Sequence, residues 1–462
     1  MLTNKVLRPL DPGEAFFTVA DQVSGMNFVV FAERLGALPP ERVRRALDVV
    51  QAENLLLQTS VQWVDAQGLS FVHAPGALIE LRCLEVTNAR WQEPIEQQLS
   101  ESFALGSAPL LRCLLLEVSS DGNANASTDI PQEPVRSVLA LSFHHAIADG
   151  RSGTALLCRM LSLIAESDST PPQEAHAAPT RTPASVPAML ALHPAPYRWA
   201  EQPEGAKQLR NTLISDYRRH GPLTPIPWLA NQASGREPKF IRLSFTPSVT
   251  QALLRTARAQ GSSLHGALCA AQLLAQLALK PSDEPSVFCL SSPVDMRPYL
   301  EPAPDVSPTG LYVSIVSNTF SVDSETPFWE LARDIISQTR RQLARGEGHL
   351  FFNMFGLNGT PVTPEHTAPL TQKVMASQPN TMVSNVGPIA SVTTDPAVTA
   401  ISFALCPMPY QTLFTAASTY QGQLVLNVGY DAARLTDSAA KTLAGGIKNC
   451  LLSAAEKAIG FE

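Results

Sequence analysis

Two adjacent histidines, His144 and His145, close an apolar run and are followed by Asp149 and Gly150, in Ser142-Phe-His-His-Ala-Ile-Ala-Asp-Gly-Arg-Ser-Gly153. An imidazole with an ordinary pKa near 6.5 is the side chain best suited to take a proton from a hydroxyl or amine at neutral pH. One histidine of the pair is enough for that chemistry. Neighbouring residues of a strand face opposite sides, so if His145 faces a cavity, His144 faces into the fold and hydrogen-bonds there as a structural residue. Asp149 turns away and pairs with a cation that fixes the loop, and Gly150 permits a tight start to the helix that follows.

An isolated histidine in an apolar run is ordinarily a satisfied core residue. The full HHxxxDG spacing is rarer, with a chance frequency on the order of one in a thousand for a chain of this length. Zinc sites want spacings such as HExxH or paired CxxC, and the sequence holds neither, so no metal is expected. No GxSxG elbow, GxxxxGK[ST] loop or GxGxxG turn occurs, which removes support for a serine nucleophile and for nucleotide binding. Ser152 is read as a helix cap.

The elements that must position the pair alternate in period. Asn27 to Ala32, Leu110 to Val118 and Val138 to Phe143 read as buried strands, Pro39 to Glu53 and Gly153 to Ala165 as helices. The histidines therefore sit where a strand gives way to a loop and a helix. After residue 205 the pattern repeats. Helices are expected from Thr250 to Ala259, Leu264 to Leu277, Pro327 to Leu343 and Asp437 to Ala458. Strands are expected at Phe240 to Phe245, Val287 to Pro293, Leu311 to Phe320, Thr381 to Asn385, Ile401 to Leu405, Leu413 to Ala417 and Leu424 to Tyr430. The class is mixed α/β.

Between 166 and 205 the chain is rich in Pro, Ala, Ser and Thr, a linker composition that divides it into 1–165, carrying the histidines, and 206–462. A polar stretch from Gly122 to Pro134 reads as a loop. The 462 residues are 45% hydrophobic and 16% charged, with a formal charge of −7. That describes a globular chain and argues against a nucleic-acid partner. The first residues lack the apolar core of a secretory signal, and no run is long and apolar enough to span a membrane, so a cytoplasmic protein is expected. Its seven cysteines are scattered without a CxxC and read as free thiols.

On its HHxxxDG run the chain resembles the superfamily of condensation domains and chloramphenicol-acetyltransferase-like acyltransferases, closest to polyketide-associated acyltransferases and free-standing condensation enzymes. Further segments carry the likeness. Arg8-Pro-Leu10 with Glu14 is similar to the opening of the polyketide-associated branch, and Gly261 to Ala271 to the helix that begins the second core. Pro293-Val-Asp-Met-Arg-Pro298 resembles the family's arginine-bearing strand end, Ser384-Asn-Val-Gly387 its SNxG segment, and Leu424 to Asp431 its closing strand. No DFGWG string is present, which sets the chain apart from the plant branch.

The resemblance implies two chloramphenicol-acetyltransferase-like lobes meeting in a V around a tunnel, with His145 as general base. It makes Asp149 the structural partner of Arg297, with His144 and Gly150 as supports of the loop. Ser384 and Asn385 are implied to line the tunnel or help hold an oxyanion, or else to form a turn that bridges the lobes. His265, on an apolar helix, is read as packing. The implied reaction is acyl transfer from a thioester, on coenzyme A or on the phosphopantetheine of an acyl or peptidyl carrier protein, to a hydroxyl, with no tightly bound cofactor. Arg340, Arg341 and Arg345 offer a basic patch for an acidic carrier, or a solvated helix face. The alternatives are an amide-forming condensation enzyme, a non-catalytic carrier-binding module and a metal-dependent hydrolase. A monomer is expected.

Overall fold

The computed structural model describes residues 5–119, 136–166, 186–197, 203–224, 236–279, 284–307, 309–357, 360–377, 380–392 and 395–459. The expected loop at 122–134 and most of the expected linker, 167–185 and 198–202, lie outside the described residues. In chain order the first part runs β1 (Lys5–Pro9), α1 (Pro12–Ser24), β2 (Asn27–Leu35), α2 (Pro40–Glu53), β3 (Thr59–Val64), β4 (Gly68–His73), β5 (Glu80–Thr87), α3 (Glu93–Ser100), β6 (Leu111–Ser119), β7 (Arg136–His144) and α4 (Gly150–Glu166). The second runs α5 (Pro203–His220), β8 (Pro238–Phe245), α6 (Pro247–Ala259), α7 (Leu264–Leu277), β9 (Ser286–Asp295), β10 (Val313–Val322), α8 (Phe328–Ala344), α9 (Pro364–Met375), β11 (Asn380–Pro388), β12 (Val398–Leu405), β13 (Gln411–Tyr420), β14 (Gln423–Asp431) and α10 (Asp437–Ile459).

One sheet has the order β12-β2-β7-β6-β5, and all but its edge strand β5 are buried on both faces. Phe28, Val30, Leu141 and Phe143 face α2 and α4, while Val29, Phe31, Val138 and Ala140 face α3. That two-sided burial is why these strands read as unbroken apolar runs. A second sheet, β10-β9-β11-β13-β14-β8, packs against α6, α7, α8 and α10. Strands β1, β4 and β3 form a small third sheet.

The division of the chain does not coincide with the division of the sheets. Strand β12, from the second part, pairs antiparallel with β2 from Ala400↔Glu33 to Leu405↔Phe28 and so completes the first sheet. Asn427 Nδ2 donates to Phe403 O at 2.8 Å and Arg242 Nη1 to Ser402 Oγ at 2.9 Å, tying this crossing strand back to the second sheet. Within the stretch read as linker, residues 186–197 are pinned. Leu190 N donates to Asp11 Oδ2 at 2.7 Å, Tyr312 Oη to Pro187 O at 2.9 Å, and Glu301 N to Leu192 O at 2.8 Å.

Candidate active site

Strand β7 delivers the two histidines to its end. His144 is its last residue, opposite Asn27 of β2, and is fully buried. Its Nδ1 accepts from Ala146 N at 3.2 Å, which leaves the proton on Nε2, 3.9 Å from Asp21 Oδ1. Burial, with His145 adding to it, lowers the His144 pKa to about 3, so this ring is neutral at any physiological pH. His145 begins the turn, anchored by its N–H to Met26 O at 2.7 Å. Its ring stacks on Phe17 with centroids 4.1 Å apart and planes 7° from parallel, and tilts against Phe28 at 4.9 Å. Nδ1 is turned inward and meets no well-aligned partner, whereas Nε2 is the accessible nitrogen. Burial pushes the His145 pKa down, opposed by its own carbonyl, by Asp149 and by the Ala148 carbonyl.

Asp149 is bound on both oxygens. Oδ1 accepts from Ser152 N at 2.9 Å and Ser152 Oγ accepts from Asp149 N at 3.1 Å, a reciprocal cap on α4. Ser152 Oγ also donates to Gly310 O at 3.0 Å, so it is a buried structural hydroxyl. Oδ2 accepts from Tyr312 N at 2.9 Å and lies 2.9 Å from Arg297 Nη2, with both ion-pair side chains at most 5% exposed. Arg297 also donates to Asp295 Oδ1 at 2.9 Å and stands over the Tyr312 ring at 4.9 Å. Asp295 in turn accepts from Arg151 at 2.8 Å. The alternating chain Asp149, Arg297, Asp295, Arg151 thus fastens the histidine loop to the end of β9. At Gly150 a Cβ would stand 3.2 Å from Val386 of β11, so the loop approaches that strand as only glycine allows without displacement.

Strands β9 and β11 pair only at Leu290↔Thr381 and Ser291↔Met382. Beyond that register Pro293, which has no N–H to offer, and Ser384 flank an opening. Two cavities meet there, sharing Gly150, Pro293, Val313 and Ser384. The first, of about 80 Å³, holds His145 and is otherwise walled mostly by Phe, Met and aliphatic side chains. The second, of about 90 Å³, is lined by Asp149, Arg151, Asp295, Arg297 and Asn385. Asn385 Oδ1 accepts from Gly387 N at 2.9 Å, leaving its NH₂ to the second cavity.

Of the residues singled out in sequence, His145, Asp149, Gly150, Arg297, Ser384 and Asn385 line one or both cavities, whereas His144 is fully buried and lines neither. Nor does His265. Its Nε2 lies 2.9 Å from Ser292 Oγ and 3.5 Å from Cys269 Sγ, and it lines neither cavity. Arg341 and Arg345 border a polar groove against α5 and the outer strand β10, Arg345 being paired with Glu347 at 2.8 Å. Among the described residues no group of three or more His, Cys, Asp or Glu converges, and no helix is long and apolar enough to cross a membrane.

Sequence reading missed α1, and with it Phe17. A signal was present, since Asp11-Pro-Gly-Glu14 is a capping box: Asp11 Oδ1 accepts from Gly13 N at 2.9 Å, and Glu14 Oε2 accepts from Asp11 N at 2.6 Å. Tyr312 and Asp295 carried no local signal, because their importance is set by contact with Asp149 and Arg297 far away in sequence.

Residues 234–428, less than half of the chain, match the family described as phthiocerol/phthiodiolone dimycocerosyl transferase C-terminus. Among solved structures, the polyketide synthase associated protein 5 of Mycobacterium tuberculosis is similar, at 18% identity over 98% of this chain and 99% of that one, with a TM-score of 0.66. The epimerization domain of the third module of tyrocidine synthetase B is 15% identical over 99% and 98%, with a TM-score of 0.64. A trichothecene 15-O-acetyltransferase from Fusarium sporotrichioides is 14% identical over 97% and 95%, with a TM-score of 0.66. The sequence has no significant match among curated proteins.

Proposed function

We propose that this chain, which has the two-lobed fold shared by condensation domains and polyketide-associated acyltransferases, moves an acyl group from a thioester to a hydroxyl. The observation that carries the reading is the placement of His145. Its ring is stacked on Phe17, Nδ1 is turned into the protein, and the residue lines the apolar cavity that joins a polar one at Gly150, Pro293, Val313 and Ser384. Such an imidazole can act on a substrate delivered from one side while a second arrives from the other.

In the reaction His145 Nε2 takes the proton of the acceptor hydroxyl as its oxygen attacks the thioester carbonyl. The C–O bond forms, the tetrahedral oxyanion collapses, the C–S bond breaks, and the proton passes from His145 to the departing thiolate. No covalent enzyme intermediate is needed. The step uses the lone pair of Nε2 and therefore requires the neutral tautomer that carries its proton on Nδ1, the buried nitrogen. In this reading Ser384, which lines both cavities, donates to the oxyanion, and Asp149 with Arg297 keeps the loop in register. The donor is coenzyme A or a carrier-borne phosphopantetheine, both of which present the same thiol. Intact-mass detection of product from a panel of acyl-CoA and acyl-carrier-protein thioesters with mixed hydroxyl and amine acceptors tests the reading. Ester formation with one donor class is the expected result, amide formation alone would move the protein to the condensation enzymes, and no turnover with any pair would overturn it.

A further inference from the structure

Strands β9 and β11 are neighbours for two residue pairs and then part, and the cavities join where they have parted. A backbone that leaves a ladder must satisfy its polar groups elsewhere, so whatever holds the strands off each other has to be built into the fold. We infer that helix α7 is the spacer that sets this opening, with His265 and Gln272 as positioning residues that grip β9 and β11 and so place Ser384 relative to His145. The inference rests on the acyl-transfer reading and extends it to two side chains that line neither cavity.

His265 and Gln272 are seven residues apart on α7, which is two turns, and therefore share one face of the helix. His265 reaches β9. Its Nε2 lies 2.9 Å from Ser292 Oγ, and Ser292 is the residue just past the last pair, Ser291↔Met382. Gln272 reaches β11. It is fully buried, its Nε2 donates to Thr381 Oγ1 and to Met382 O at 3.1 Å, and its Oε1 accepts from Thr415 Oγ1 of β13. Both strands are thus held at the point where they diverge. The Met382 carbonyl is occupied by α7 and Pro293 has no N–H to give, and neither extends the pairing.

Alternation along the strands carries this grip to the other face of the sheet. Ser292 and Thr381 meet α7, whereas their neighbours Pro293 and Met382, and Ser384 two residues further on, line the cavities. The helix is itself fixed near both ends. At Gly266 a Cβ would stand 2.6 Å from Ala332 O and 2.7 Å from Ile336 Cγ1 of α8, and at Gly446 of α10 one would stand 3.1 Å from Ala275 Cβ. Burial lowers the His265 pKa to about 4, so this anchor carries no charge in the neutral range.

The test measures kcat and both KM values for the acyl-CoA or acyl-carrier-protein thioester and the acceptor that give most product in the panel. It compares wild type with His265→Leu, His265→Gln, Gln272→Leu, Ser384→Ala and the double variant Gln272→Leu with Ser384→Ala. His265→Leu and Gln272→Leu should each lower kcat by about 10- to 100-fold, the cost of displacing a reacting geometry by a fraction of an ångström to an ångström, with both KM values within about twofold. His265→Gln, which keeps a polar group within reach of Ser292 Oγ, should restore kcat to within about twofold of wild type. With Ser384 already removed, Gln272→Leu should cost no more than about twofold, since the group it places is gone. A loss of folded protein would instead lower kcat equally in both backgrounds, so the double variant separates positioning from stability. Equal losses with and without Ser384, wild-type kcat in the leucine variants, or His265→Gln as slow as His265→Leu would each overturn the inference and leave acyl transfer standing. No transfer by the wild-type protein would overturn the acyl-transfer reading and this inference with it.

Discussion

At the scale of single residues, the chemistry depends on what each imidazole nitrogen meets. His145 is held below the ordinary imidazole range by burial, with Asp149 and two carbonyls opposing. A base works only when unprotonated, so activity is present above its pKa and is lost as the pH falls through it. The acid limb of kcat/KM should accordingly have its midpoint below about 6.5, the unperturbed value. A midpoint above that value would mean that charge, and not desolvation, dominates at the ring. His144, with a pKa lowered to about 3, should contribute no limb in the neutral range. The imidazole pair was legible because its residue types and spacing are rare. Phe17, which sets the plane of the His145 ring, was not read, because stacking depends on how α1 docks and leaves no mark in the HHxxxDG run itself.

At the scale of elements, the critical joint is the start of α4. Asp149 caps the helix, holds Tyr312 N and pairs with Arg297, so Arg297→Ala leaves the buried Asp149 carboxylate without its cation, while Asp149→Asn leaves Arg297 only Asp295 as an ionic partner. Arg297→Ala should destabilise the fold by about 3 to 5 kcal/mol and Asp149→Asn by less, both seen as a lower midpoint in urea unfolding. Asp149→Asn as stable as wild type but inactive would contradict the structural role. Ser152→Ala, which removes the Oγ half of the reciprocal cap and the bond to Gly310 O, should cost about 1 to 2 kcal/mol by the same measurement. The apolar period located α4 from Gly153, whereas the helix begins at Gly150. Its first turn is defined by capping groups, and these contribute nothing to a hydrophobic pattern.

At the scale of the whole molecule, the two parts of the chain are interlocked by β12. Residues 1–166 alone would leave β2 as an open edge, with Phe28, Val30 and Phe31 deprived of their neighbour. That fragment should be insoluble when produced alone, and supplying residues 203–462 from a second chain should recover soluble complex. A fragment 1–166 that is soluble and monomeric, with native-like hydrogen-exchange protection in β2, would show that the crossing strand is dispensable. The mixed class and most of the strands were legible from period alone, because two-sided burial writes long apolar runs. Strand order was not, since β12 carries the same kind of run as the strands of its own part and only tertiary pairing sends it to the other sheet. The central claim, that His145 at this junction performs acyl transfer, is met most directly by comparing wild type with His145→Ala by intact-mass detection of product, using the donor and acceptor that turn over. The expected result is a folded variant with turnover lower by about 10² to 10⁴. Equal product from both proteins would remove His145 as the base.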